Sequence, residues 1–368
     1  MAGTYKIYIS AVDIEVETEA AGFVEKVIPA DGFGDDKAVG DAIEDDDKVI
    51  SSPEWSERVV SRSEGENYGD VTFILCNDTH YGWHVEDDAH DDYDELLAVV
   101  TDLNTIVGVS YPEVLTGVVE TPLFVIHPGD ALHDDYGYPT SYNTFILHYG
   151  SDGTDGVLDY PLYLGHGNHD SEDAMTALVV SRHGARHYRY SAGGIHFICC
   201  DLFPQSLTTV GDYYRDSTCT IPWLEHQLSL IGKNDRVILF QHYDYQTTFG
   251  FNHDDYNWWG TTDADELLTV IEDYNVIAIL HGHDHGTVLP GDSDIYEPYQ
   301  SYNMISAASS YYFVFRVTDT KLQAAQRNTD SDTWVSLSTQ NITIPSRVTY
   351  GADKVVAADG FENEKAIS

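Results

Sequence analysis

Five short segments carry oxygen and imidazole donors, three of them beside glycine: Asp78-Thr79-His80, Gly129-Asp130, Gly167-Asn168-His169-Asp170, His242, and Gly282-His283-Asp284-His285. Converging Asp, Asn and His side chains would make a mixed oxygen and nitrogen ligand set. Such a set suits Mn²⁺, Fe or Zn²⁺ better than Ca²⁺. None of the five contains Cys, and no CxxC occurs, so neither a structural zinc site nor a thioredoxin-type site is indicated. The glycines permit the tight turns that would aim the ligands inward. One Asp or one His alone reads as a turn or capping residue; five such segments, each after an apolar run, do not.

Those apolar runs are the elements that must position the donors. Val71 to Cys76, Leu123 to Ile126, Pro161 to Leu164, Ile195 to Ile198, Val237 to Phe240 and Val276 to Leu280 read as buried strands. Helices are expected over Tyr93 to Leu103, Ser141 to Tyr149, Glu172 to Arg182, Pro222 to Ile231 and Ala264 to Tyr274. Continuous apolar strands alternating with helices indicate an α/β architecture whose sheets are covered on their faces. Ligands at the ends of the strands sit where such folds assemble their sites. Beyond Ser301 the pattern changes to strands with few helices, which suits the closing half of a layered sandwich.

The order DxH, GD, GNH[DE], a lone His and GHxH resembles the calcineurin-like metallophosphoesterase superfamily, over about Val71 to Phe315. The resemblance implies a layered αββα sandwich and hydrolysis of a phosphate mono- or diester. It assigns one metal to Asp78, His80, Asp130 and His285, and a second to Asp130, Asn168, His242 and His283. Asp130 would bridge the two ions, a water between them would lose a proton readily, and the resulting hydroxide would attack phosphorus in line. His169 is placed by the resemblance to protonate the leaving oxygen or steady developing charge, with Asp170 as its orienter. The purple acid phosphatase subgroup carries a Tyr ligand three residues after the GD aspartate; here that position is His133, and the subgroup does not fit.

The other histidines, among them His84, His90, His133, His166, His187 and His196, keep a structural reading. His166 and His253 are the two expected to line a substrate cleft. The segment Tyr243 to Gly260 holds Tyr243, Tyr245, Phe249, Phe251, Tyr256, Trp258 and Trp259 beside His242. It reads equally as a substrate-recognition lid, with Trp258 and Trp259 on substrate, or as local packing.

Charge limits the partners. Sixty-two acidic residues against 18 basic give a net charge of -44, and no Lys lies between Lys48 and Lys233. A high-salt or extracellular setting, additional surface Ca²⁺ sites on Asp-rich loops, and a basic partner are the three readings of that excess. Nucleic acid is disfavoured by all three, because binding it requires Lys and Arg on phosphates. The expected substrate is a small or lipid-derived phosphate ester. No run approaches the ~20 apolar residues of a membrane span, and no signal-peptide h-region follows Met1. Cys199 and Cys200 are adjacent on a strand with side chains on opposite faces, and Cys76 reads as a small core residue.

Three regions follow: an N-terminal extension and linker over 1–66, a catalytic domain over 67–345, and a tail over 346–368. The extension is expected to be β-rich, since Tyr5 to Ile9 and Val12 to Thr18 alternate like exposed strands. The tail repeats part of it. Lys26 to Val39 and Lys354 to Ile367 share eight identities over fourteen aligned positions. A duplicated element at both ends raises a second expectation, a structural role such as a filament or virion component, with self-assembly through the terminal segments.

Overall fold

The structure, a computed structural model, describes residues 4–9, 12–17, 58–59, 70–83, 93–134, 136–151, 155–170, 173–201, 221–243, 261–283, 285–286, 301–303 and 306–344. The chain divides into two compact units, Met1–Trp55 and Ser56–Ser368. In the first, β1 (Thr4–Ile9) and β2 (Val12–Glu17) form an antiparallel hairpin that runs in register from Thr4 opposite Glu17 to Ile9 opposite Val12. Both copies of the terminal repeat, and with them the segments on which self-assembly was expected, lie outside the described residues.

The second unit is a mixed α/β sandwich. Its strands and helices run β3 (Arg58–Val59), β4 (Val71–Leu75), α1 (Tyr93–Thr105), β5 (Val125–His127), α2 (Thr140–Tyr149), β6 (Leu162–Leu164), α3 (Asp173–His183), β7 (Tyr188–Ala192) and β8 (Ile195–Cys199). They continue through α4 (Ile221–Ser229), β9 (Arg236–Phe240), α5 (Thr261–Ile271), β10 (Asn275–Leu280), β11 (Ser301–Tyr302), β12 (Tyr311–Val317), β13 (Lys321–Asn328), β14 (Thr333–Trp334) and β15 (Gln340–Thr343). One sheet has the order β14-β13-β12-β4-β5-β6, with β15 also on β13; the other has the order β11-β10-β9-β8-β7-β3. In the first sheet β4, β5 and β6 are parallel; in the second, β8, β9, β10 and β11 are. All five ligand-bearing segments therefore leave the C-terminal ends of parallel strands.

Aromatic side chains fill the space between the sheets. Phe73 of β4 stacks on Phe315 of β12 at 5.0 Å and meets Phe197 of β8 edge-on at 5.4 Å. Tyr163 of β6 lies flat on Tyr190 of β7, and Tyr302 of β11 meets Phe315 edge-on at 5.0 Å. Each such ring, fully withdrawn from water, contributes roughly 1.5–3 kcal/mol. Helix α1 covers the outside of the first sheet because Leu96, Val99, Val100 and Leu103 fall on one helical face, and all four are buried. Asp94 and Glu95 in its first turn suit the positive end of the helix dipole. Its far end is tied to the sheet where Asp102 accepts from Arg327 Nε and Nη2 and from the Tyr312 hydroxyl. Helix α4 rests on the second sheet, with Trp223 edge-on to His187 at 4.6 Å and the Gln227 carbonyl accepting from Arg189. Among the described residues no helix is long and apolar enough to cross a membrane.

Strand β7, like the short β3, is missed by the apolar pattern. Its sequence, Tyr-Arg-Tyr-Ser-Ala, carries its apolar surface on Tyr188 and Tyr190, while the buried Arg189 reaches the end of α4. Strand β5 sits further along than the apolar run suggests, because His127 is a fully buried strand residue whose Nε2 lies 3.1 Å from Thr79 Oγ1.

Candidate metal centre

The five loops are laced together by main-chain bonds before any side chain is considered. Asp78 N donates to Gly129 O, His80 N to Asp130 O at 3.0 Å, and Gly282 N to His242 O at 3.0 Å. Ala308 N donates to Asp78 O, and Asp134 N to His169 O at 2.9 Å. The loops after β5 and β6 approach so closely that a Cβ on Gly129 would stand 2.5 Å from Gly167 N and 2.7 Å from His166 C. Asp78, His80, Asp130, His283 and His285 all have positive φ, between 45° and 77°. Left-handed backbone is costly for residues with a Cβ and turns each side chain back toward the common centre.

That centre holds three groups of donor atoms: one of His80, His133 and His169, and two that share Asp130. One atom each from Asp78, His80, Asp130 and His285 lie within 4.8 Å of one another, and so do atoms of Asp130, His242 and His283. His80 Nε2 lies 3.6 Å from Asp130 Oδ2 and 2.8 Å from His285 Nε2, which is itself 3.6 Å from Asp78 Oδ1. In the second group His242 Nε2 lies 3.0 Å from both Asp130 Oδ2 and Asn168 Oδ1, and His283 Nδ1 is 2.9 Å from Asn168 Oδ1. All seven residues that the sequence singled out as ligands are brought together.

The electrostatics fit a cation. Burial pushes the imidazoles of His80 and His283 down to about 3, so both are neutral at pH 7. Burial alone would raise the Asp78 and Asp130 carboxyls. Hydrogen bonding from His285 at Asp78, and His242 beside Asp130, outweigh it and hold both below the usual carboxylate range. Burial works against protonation of His242, but the Asp130 carboxylate raises it on balance. Two buried carboxylates thus share a pocket with two neutral imidazoles, and added positive charge would stabilise them. The His80 and His285 Nε2 atoms, 2.8 Å apart, can share at most one proton. Neutral imidazole nitrogens, carboxylate oxygens and an amide oxygen form a donor set for divalent transition metals.

At the mouth stands His169. Its Nδ1 lies 3.0 Å from Asp134 Oδ2, and its main-chain N donates to Asp130 Oδ1 at 2.8 Å. Burial would lower this imidazole, but the Asp134 hydrogen bond and the Asp130 charge lift it to about 9. The sequence assigned orientation of His169 to Asp170, and the structure puts Asp134 there. Asp170 instead accepts from Leu132 N and Gly167 N, both at 2.9 Å, and cross-braces the two loops; burial and the nearby Asp130 charge raise its carboxyl. His166 does not line the cleft: it is buried, with Nε2 3.1 Å from Thr176 Oγ1 of α3. His253, Trp258 and Trp259 lie outside the described residues.

Three further residues stand at the mouth to which the sequence assigned no site role. They are Asp134, His133, whose Nδ1 lies 3.1 Å from His80 Nδ1, and Trp83, parallel to His133 at 5.3 Å. Asp134 follows Asp130 by four residues, and that spacing is the only signal it gives.

Comparison with known proteins places these features in context. The model of the family described as calcineurin-like phosphoesterase matches residues 71–287. No curated protein matches the chain. Among solved structures, the chain is similar to a predicted phosphoesterase from Streptococcus pneumoniae TIGR4, at 12% identity and TM-score 0.34, covering 75% of this chain and 98% of that one. A novel phosphatase from Mycoplasma pneumoniae is similar at 11% identity and TM-score 0.36, covering 76% and 95%. Vacuolar Protein Sorting 29 from Cryptosporidium parvum is similar at 10% identity and TM-score 0.32, covering 75% and 97%.

Proposed function

The chain belongs to the calcineurin-like phosphoesterase family, and from that membership we propose that it hydrolyses a phosphate mono- or diester with two divalent cations. The observation that carries this reading is the pair of buried donor groups that share Asp130. Asp78, His80, Asp130 and His285 would hold one ion; Asp130, Asn168, His242 and His283 would hold the other. When bound, two such ions supply Lewis acidity at the phosphoryl group and acidify water.

The chain's own residues supply the rest. His169 stands beside the shared carboxylate, about a third exposed, and the hydrogen bond to Asp134 favours its protonated form. A protonated imidazole there can give its proton to a departing alkoxide, a contribution of about 10²–10⁴-fold. Asp134 fixes the ring and favours the imidazolium form, while the main-chain bond from His169 to Asp130 keeps donor and shared ligand in register. Trp83, 37% exposed, offers an apolar face next to His133 against which a substrate could lie.

Hydrolysis of p-nitrophenyl phosphate and bis-p-nitrophenyl phosphate tests the proposal, using protein loaded with Mn²⁺ or Zn²⁺ against a chelated control. Turnover of at least one ester is expected, lost on chelation and restored by metal. Loaded protein that binds two ions yet turns over neither ester, nor any other phosphate ester in a broad panel, would refute it.

A further inference from the structure

The His80 ring is held from both ends. Its Nε2 faces Asp130, Asp78 and His285, and its Nδ1 lies 3.1 Å from Nδ1 of His133. Only one proton can occupy a contact between two imidazole nitrogens, so one ring donates and the other accepts. A histidine that gives Nε2 to a metal carries its proton on Nδ1, and that N–H normally finds a carboxylate, carbonyl or water. In this protein the partner is a second histidine. The His133 ring cannot swing freely to follow: Trp83 lies parallel to it at 5.3 Å and 6°, His169 at 4.6 Å and 20°, and Tyr136 at 5.5 Å and 28°.

We propose that His133 is a positioning residue that accepts the Nδ1–H of His80, fixes its tautomer, and thereby sets the affinity of the Asp78–His80–Asp130–His285 group alone. The inference rests on the two-cation reading given above. Its physical basis is that His80 is 2% exposed, so water cannot replace the lost acceptor. Without His133, the ring of His80 is free to take the other tautomer, which puts a proton where the lone pair must face the ligand group. In the second group Asn168 Oδ1 instead faces His242 Nε2 at 3.0 Å and His283 Nδ1 at 2.9 Å.

Two substitutions separate the hydrogen bond from the stack. His133→Phe keeps an aromatic ring against Trp83 and removes the acceptor. His133→Asn gives up most of the stack and keeps an acceptor oxygen close to the position of Nδ1. Mn²⁺ binding is followed by competition with a chelator and by electron paramagnetic resonance, which distinguishes a coupled pair from a lone ion. Wild type is expected to take two ions as a coupled pair. His133→Phe should hold one ion at wild-type affinity and the other about 10–100-fold more weakly, with an isolated-ion spectrum. His133→Asn should restore the pair.

Two ions at wild-type affinity in His133→Phe would overturn the proposal, as would equal weakening of both. A wild type that binds no ion would instead sink the functional reading on which the proposal stands. Should His133→Phe fail to fold, long-range ¹⁵N–¹H correlation on Zn²⁺-loaded wild type decides: a proton on His80 Nδ1 with His133 Nδ1 unprotonated supports the proposal, and a proton on His133 Nδ1 overturns it.

Discussion

Replacing Gly129 by Ala tests whether the two donor groups depend on close main-chain packing of their loops. The new Cβ would stand 2.5 Å from Gly167 N, 2.7 Å from His166 C and 2.8 Å from Gly167 Cα, and all three are main-chain atoms that cannot rotate away. Ordinary contact begins at 3.4 Å, so the loops carrying Asp130 and Asn168 must separate by about 0.9 Å. Metal sites tolerate distance errors of only about 0.2 Å. The Asp130–Asn168–His242–His283 group should therefore lose affinity, and turnover should fall about 100-fold, the usual consequence of an ångström-scale misplacement. Overpacking should cost about 1–3 kcal/mol of stability. Gly108→Ala is the control: its φ of +86° makes a side chain strained there, but nothing lies within 4 Å. It should cost stability and leave turnover intact. The assays are kcat/KM on bis-p-nitrophenyl phosphate, metal content per chain, and thermal melting. Wild-type turnover and two bound ions in Gly129→Ala would refute the reasoning.

Asp130→Asn should weaken both ions and abolish turnover, since its oxygens belong to both donor groups; elemental analysis showing two ions and normal rates would contradict the shared role. His127 is held down to about 4 by burial, against about 6.5 in an unfolded chain, so between those values the unfolded state binds the extra proton. Stability from this residue is thus complete above pH 6.5 and lost as pH falls toward 4, by about 3 kcal/mol. Urea unfolding of chelated protein should show that slope together with those of the other buried imidazoles, and His127→Gln should reduce it by one residue's share. Asp102→Ala leaves the buried Arg327 guanidinium with only Asp332 among these carboxylates, and should cost about 3 kcal/mol. The double change Asp102→Leu with Arg327→Met should recover most of that loss in the same unfolding assay.

How far the sequence could be read depended on how much each residue type stands out in this chain. Strands β4, β9 and β10 are unbroken apolar runs, buried on both sides, and their positions follow from composition alone. Strand β7 hides behind Tyr and Arg, and the placement of β5 shifts because His127 is packed like a core residue. Gly167-Asn168-His169-Asp170 and Gly282-His283-Asp284-His285 stand out because each sets three donor side chains after a glycine near the end of an apolar run. Asp134 does not, because one carboxylate among 62 acidic residues carries almost no information until the fold brings it to His169. His133 was visible as a departure at the position three residues after Asp130. Its partner was not, because the His80–His133 contact joins two loops 53 residues apart.

The left-handed backbone at Asp78, His80, Asp130, His283 and His285 has a consequence for how this chain can change over time. Each of these positions costs of order 1 kcal/mol or more relative to glycine in the same conformation. Summed over five residues, that is a large part of the 5–15 kcal/mol that ordinarily separates folded from unfolded chains. Mutations to Gly or Asn there should relax the fold while destroying the donor set. A lineage released from selection on catalysis would then drift toward hardier, inert descendants, and those five positions would be the first to go. Asp and His at all five strained positions, in a chain already burdened with a net charge of -44, thus set the donors of the centre against the stability of the fold.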